Sequence, residues 1–199
     1  MRPLPDKTGS TSGKRAFALQ AGKKPDRRVA RTQSLVLGAF GELLLARGYD
    51  GFTAGDLIER AGVGRSTFYE HFENKEDVFE QSVAHPLGAL ADALFAAQPD
   101  GARGIVEHFW ENRDVGRAMF NGTARLVMER VLARLIVEHL ERRRRATPAA
   151  LPSALIAAHL AGGQLGLIAA WADADAPCDT ATLARALHIA AHAVLEAFF

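Results

Sequence analysis

Between Thr53 and Asp77 the chain starts a helix, stops it and starts again, and this punctuation constrains the fold more than any other feature. Thr53-Ala-Gly-Asp56 reads as a capping box: the Thr hydroxyl takes the N–H of the third helical residue, and the Asp carboxylate reaches back to the cap. The helix it opens places Leu57, Ile58 and Ala61 on one face, and Gly62 ends it. Only Gly62-Val63-Gly64 separates it from a second short helix, Arg65 to about Phe72. Asn74-Lys75-Glu76-Asp77 then reads as another capping box. Upstream, Val36, Phe40, Leu43 and Leu44 form one stripe of a longer helix that stops at Gly48. A longer helix followed by two short ones across a tight glycine turn is the helix-turn-helix pattern.

The rest of the chain also reads as helical. Segments 102–112, 114–120, 122–145, 150–172 and 180–198 are parted by Gly, Asp or Pro. Pro86 is expected to break a helix or to open a new one. No segment alternates like a strand and no repeat is evident, so the fold class is all-α: a three-helix helix-turn-helix domain followed by a helical bundle. The expected organisation is a disordered basic arm at 1–27, a helix-turn-helix domain at 28–75 and a helical domain at 76–199.

The net charge of +1 hides an asymmetry. Through Lys75 there are 13 basic and 8 acidic side chains; the remainder carries 11 and 15. Residues 1–31 alone hold 9 basic and 2 acidic residues, in a stretch rich in Pro, Gly, Ser and Thr. A basic amino end on a mildly acidic body fits a polyanion partner for the first part, and a merely solvated tail equally. Cys178 is the single cysteine, which excludes an intramolecular disulfide and a cysteine zinc set and fits a reducing cytoplasm. The first thirty residues lack the apolar core of a signal peptide.

The second short helix carries the chemistry. A helix-turn-helix lays it in the major groove. Phe68 and Phe72 are spaced to face the core, and Arg65 and Ser66 lead the helix toward base edges. Arg matches guanine through two donors. Thr67, Tyr69, His71 and Lys75 offer groups suited to phosphates. An ordinary amphipathic helix pair has the same outline.

Residues 53–79, TAGDLIERAGVGRSTFYEHFENKEDVF, resemble the DNA-binding domain of the tetracycline-repressor (TetR) family. The matching features are the Thr53 cap, Ile58, the Ala61-Gly62-Val63 turn, Thr67-Phe68-Tyr69, His71-Phe72 and Asn74-Lys75, with Gly48-Tyr49 ending the preceding helix. The resemblance implies base contacts from Arg65 and Ser66, and DNA contacts from Thr53, Thr67, Tyr69, His71 and Lys75. Gly64 departs from the small polar cap common in the family and leaves the recognition helix a weaker start. Gly55 removes a side chain that some members aim at DNA. Lys23, Lys24, Arg27 and Arg28 lie in a longer arm, suited to phosphate tracking or to a minor groove.

For the second half the resemblance implies a domain that dimerises and binds a small molecule. Ala158, Gly162, Gly166 and Ala170 recur every four residues, a ridge that lets another helix come close. Leu187, Ala190, Val194 and Phe198 share a face of the last helix, and the two helices from each of two chains suit a four-helix interface. By length alone, 151–172 is also a membrane-span candidate, but its Ala and Gly content, with His159 and Gln164 near the middle, fits a buried interface helix better. Phe109, Trp110, Phe120, Met128, Gln164 and Trp171 are candidate linings of an effector cavity, or plain core. His188 and His192 stand one turn apart, yet HIAAH lacks a metalloprotease glutamate and no third ligand is evident, so no metal and no cofactor are expected. Gly162-Gly163-x-x-Gly166 has no preceding strand and is not a dinucleotide loop.

The expected function is a cytoplasmic, homodimeric regulator with no membrane partner: a repressor released from a double-stranded, palindromic operator by a small-molecule effector. A ligand-independent or activating regulator of the same fold is the alternative. An all-helical enzyme or scavenging protein is a third reading, and no nucleophile–base set or acidic pair in the sequence supports it.

Overall fold

The computed structural model describes residues 27–120, 122–144, 149–174 and 177–199, and these are helical with no strand among them. The arm expected at 1–27 lies outside the described residues apart from Arg27, which opens α1 (Arg27–Arg47). Val36, Ala39, Phe40, Leu43 and Leu44 are its buried stripe. At Gly48 the backbone turns to φ 68°, a left-handed value that glycine adopts without a Cβ clash, and a 3-10 turn at Tyr49–Gly51 follows. Next come α2 (Ala54–Ala61), α3 (Arg65–Tyr69) and α4 (Lys75–Leu94).

One aromatic cluster joins these pieces. The Phe40 ring stands 5.6 Å from Phe52 and 5.5 Å from Phe79, and Tyr49 lies 5.1 Å from Phe79. Helix α1, the turn and α4 therefore share a core built largely from rings, whose edge-to-face and offset contacts add to the area they bury.

Pro86 sits inside α4 and does not end it, contrary to expectation. A proline there removes one main-chain hydrogen bond and costs about 3 kcal/mol. On either side of it Val83, Leu87, Leu90 and Leu94 are buried, and burial of such side chains is worth roughly 1.5–3 kcal/mol each. Packing outweighs the local penalty, so the helix continues.

A second 3-10 turn (Pro99–Ala102) leads to α5 (Arg103–Glu111), α6 (Arg113–Met119), α7 (Gly122–Arg144), α8 (Ser153–Asp173) and α9 (Thr180–Phe198). Helix α8 packs chiefly on α7, and also on α6 and α9. Both α1 and α8 are long and apolar enough to cross a membrane, yet α8 buries half of its most apolar window inside the fold, through residues such as Ile156, Leu160, Leu165 and Ile168.

Helix α4 belongs to both halves. It begins at Lys75 and runs without interruption past the boundary expected at 75–76, packing on α1 and on α7. Arg130 pairs with Glu76, Arg134 Nη2 with Glu80 Oε2 at 2.9 Å, and His139 Nε2 with Asp92 Oδ1 at 3.1 Å. Three polar contacts thus tie α4 to α7 along its length. Exposed pairs of this kind add at most about 1 kcal/mol each, so they set alignment more than stability.

Candidate nucleic-acid interface

The local chemistry of α2 is that of the sequence. The Thr53 hydroxyl accepts from Asp56 N, and the Asp56 carboxylate accepts from Thr53 N at 2.8 Å, a complete capping box. The Thr53 hydroxyl, which donates to the same carboxylate, then the Thr53 N–H and Arg47 at 3.2 Å, hold the Asp56 carboxyl near 2, well below the usual carboxylate range. Gly62 closes α2 at φ 65°, in the left-handed region, with its N–H on the carbonyls of Ile58 and Glu59. Arg60 Nε donates to Glu42 at 2.7 Å, so α2 is pinned to α1 from both of its ends.

Helix α3 follows after Gly64, which supplies no side-chain cap, as the sequence implies. Its helical hydrogen bonding ends at Tyr69, short of the Phe72 expected from the sequence, although Phe72 N still reaches Phe68 O at 2.9 Å. Phe68 and Phe72 are buried, with ring centroids 5.5 Å apart. That anchorage fixes which side of the short helix faces out. Arg65 and Ser66 are exposed at its start, Tyr69 is 54% exposed, and Thr67 and His71 are half-buried at the rim. No hydrogen bond or ion pair to another described residue occupies the Arg65 guanidinium, so its donors are available to a partner. The structure therefore brings Arg65, Ser66, Thr67, Tyr69 and His71 onto one short segment. Thr53 stands at the start of α2, its hydroxyl engaged with Asp56.

Lys75 is oriented differently from a free surface cation. Its Nζ donates at 2.8 Å to both Tyr49 O and Phe52 O, and it lies 4.2 Å and 4.8 Å from the centroids of those two rings. Two of the three ammonium donors are therefore directed inward. Partial burial lowers the Lys75 pKa from its ordinary value, and burial, with Glu76 and Asp50 nearby, raises that of Tyr49 to about 12. No local pattern points to this cradle, because it joins residues 23 and 26 positions apart. Asn74 caps α4 by accepting from Asp77 N at 2.9 Å, but the expected box is incomplete: the Asp77 carboxylate takes Glu73 N at 3.0 Å instead of the cap residue.

The residues expected to line an effector cavity form two aromatic pairs. Phe109 and Phe120 meet edge to face at 6.1 Å, and Trp110 and Trp171 lie 5.1 Å apart. Met128 is fully buried, and Trp171 Nε1 donates to Cys178 O at 2.9 Å. Gln164 is buried with Nε2 on Leu187 O at 3.2 Å, while its Oε1 has no partner. Of the residues expected at a dimer interface, Ala158, Ala170 and Ala190 are exposed, Gly162, Gly166, Val194 and Phe198 are half-buried, and Leu187 faces its own core. A Cβ at Gly162 meets nothing within 4 Å, whereas one at Gly166 meets Arg125 Nη2 at 3.3 Å. Among the described residues no group of three or more His, Cys, Asp or Glu is placed to hold a metal.

An outward-facing short helix, locked from behind by two phenylalanines and joined to its predecessor by a left-handed glycine, defines a helix-turn-helix DNA-binding protein. Residues 39–81 match the family model described as bacterial regulatory proteins, tetR family, so over that stretch the chain is similar to the TetR family. It is 33% identical over 76 residues to the uncharacterized HTH-type transcriptional regulator YxbF of Bacillus subtilis; the match covers 38% of this chain but only 20% of that relative. Among solved structures, a TetR-family regulator from Streptomyces coelicolor A3 superposes with a TM-score of 0.62 at 21% identity, over 88% of this chain and 99% of the other. FadR of Thermus thermophilus, a TetR-family transcriptional repressor solved with lauroyl-CoA, superposes at 0.52 and 22% identity, over 80% and 93% of the two chains. At these identities the structural likeness establishes the fold.

Proposed function

We propose that the protein is a homodimeric transcriptional repressor of the bacterial cytoplasm, released from a palindromic operator by a small molecule. The observation that carries this reading is the presentation of Arg65, Ser66 and Tyr69 on a helix whose opposite side is fixed by Phe68 and Phe72. Arg65 and Ser66 read base edges, while Thr67, Tyr69 and His71 hold phosphates, with the third Lys75 donor beside them and Thr53 at the head of α2 on the same DNA-facing side. Residues 28–75 act as the reading head and 76–199 as the regulatory and dimerising unit.

The dimer is supported by exposed apolar side chains that none of the described residues covers. Leu155 and Leu167 on α8 are 58% and 38% exposed beside the open Gly162, and Leu126 and Ile189 are 59% and 64% exposed on α7 and α9. A second copy covers such a face, and the two-fold axis sets the recognition helices about 34–36 Å apart for successive major grooves. An effector among Phe109, Trp110, Phe120, Met128, Gln164 and Trp171 would act on α4 through α7, to which the Glu76, Glu80 and Asp92 contacts connect it. The Thermus thermophilus relative, a repressor with a bound acyl-CoA, supports release by ligand over constitutive binding.

The test is to select genomic DNA fragments on the purified protein and measure binding of the selected site against a scrambled one at two salt concentrations. A repressor of this class retains a palindromic site with high specificity. Failure to retain any DNA at low salt overturns the reading.

A further inference from the structure

Helix α9 holds a feature that DNA reading does not use. His188 and His192 are one turn apart, and their rings meet with centroids 4.1 Å apart at 34°. His188 is 8% exposed. Nδ1 of His188 and Nε2 of His192 are both buried and without a hydrogen-bond partner. Buried side-chain nitrogens are nearly always satisfied, so two orphans on adjacent rings call for an occupant. Beside the pair opens a pocket of about 420 Å³, lined by Pro99, Ile189, Ala193 and Glu196 together with both histidines.

We propose that His188 and His192 jointly bind a divalent transition-metal ion of the zinc or nickel kind, with water from the pocket completing its coordination. Spacing of i and i+4 brings two imidazoles to one ion, as on the helices of many zinc sites. Imidazole suits zinc, copper and nickel better than the hard cations. The lining sets the sign of the ligand: Glu196 is its charged residue, and neither Lys nor Arg is present. An anion finds no counter-charge there, whereas a cation finds two unpartnered imidazole nitrogens. Two protein ligands leave the site open, which fits reversible uptake better than a permanent structural metal. The spacing alone, without the ring contact and the orphan nitrogens, gave no reason to expect an ion. The inference does not depend on the DNA reading.

The test is a titration of the full chain with Zn²⁺, and separately with Ni²⁺, against a chromophoric chelator at neutral pH. One ion per chain is expected, with a metal-dependent rise in melting temperature. His192→Ala, at the less buried position, should keep the far-ultraviolet circular dichroism and weaken uptake by roughly tenfold or more, since each lost ligand counts for at least as much as an outer-shell partner. His159→Ala, on an exposed position of α8, should leave uptake unchanged. Should His188→Ala fail to fold, the His192 variant alone decides. Absence of uptake at submillimolar free metal, or a folded His192→Ala protein that binds as wild type, overturns the proposal.

Discussion

The ammonium of Lys75 donates a 2.8 Å hydrogen bond to the carbonyl of Phe52, and the same nitrogen reaches Tyr49 O at 2.8 Å. The first residue of α4 thus closes the turn that joins α1 to α2. Lys75→Met leaves two carbonyls without their donor while keeping the length of the side chain. Hydrogen bonds to charged groups are worth about 1.5–3 kcal/mol, so urea unfolding should show a loss in that range. The salt slope of DNA binding separates this brace from a phosphate contact. A brace leaves the slope nearly unchanged, whereas a phosphate contact lowers it by about one. A stable Lys75→Met protein with a reduced slope would mean that its charge serves the DNA.

The expectation for Arg65 is different because its guanidinium has no described partner in the free protein. Arg65→Ala should leave the melting temperature nearly unchanged. It should remove discrimination at one base pair per half-site, at about 1–3 kcal/mol, measured by competition with single-base operator variants. Equal losses on operator and on random DNA would reassign Arg65 to the phosphates.

The cap of α2 makes a prediction about acid. Asp56 titrates near 2 in the folded chain because the Thr53 hydroxyl and N–H, then Arg47, stabilise its carboxylate. A depressed carboxyl contributes stability above its unfolded pKa of about 3.9, and that contribution is lost as pH falls toward the folded value. Asp56→Asn should therefore flatten stability between about pH 4 and pH 2 relative to wild type, read by urea unfolding across that window. Thr53→Ala removes the cap itself and should cost about 1 kcal/mol at neutral pH. An unchanged acid limb in Asp56→Asn would locate the acid-sensitive groups elsewhere.

What could be read in advance was local. The Thr53–Asp56 box, the left-handed Gly62 and the uncapped start at Gly64 all follow from neighbours within four positions. Phe68 and Phe72 gave the buried side of α3 for the same reason. What escaped was long-range. Pro86 continues α4 because α1 and α7 pack against its flanks, which no window of sequence contains. Lys75 points inward because a turn more than twenty residues earlier offers two carbonyls. Leu187 shares the helical stripe of Ala190 and Val194, yet it is buried in its own core while Ala190 is exposed; periodicity gives a stripe and leaves its edges to tertiary packing.

The small residues of α8 permit a test in which two effects have opposite signs. Gly162 has open space where its Cβ would stand, so Gly162→Leu meets no obstacle within one chain. Glycine inside a helix is unfavourable by roughly 0.5–1 kcal/mol relative to alanine, so the larger side chain should firm up α8 in an isolated subunit. At a two-fold interface the same leucine is felt twice, and overpacking costs about 1–3 kcal/mol for each contact. Sedimentation should then show a shift from dimer toward monomer, while circular dichroism shows helix retained. Operator affinity should fall sharply, because two reading heads bind as one unit only while the subunits hold their spacing. Gly166→Leu is the less clean variant, since its Cβ would also displace the Arg125 guanidinium 3.3 Å away. If Gly162→Leu stays dimeric and binds operator as wild type, the exposed face of α8 is not where the second copy docks, and Leu126 and Ile189 become the places to look.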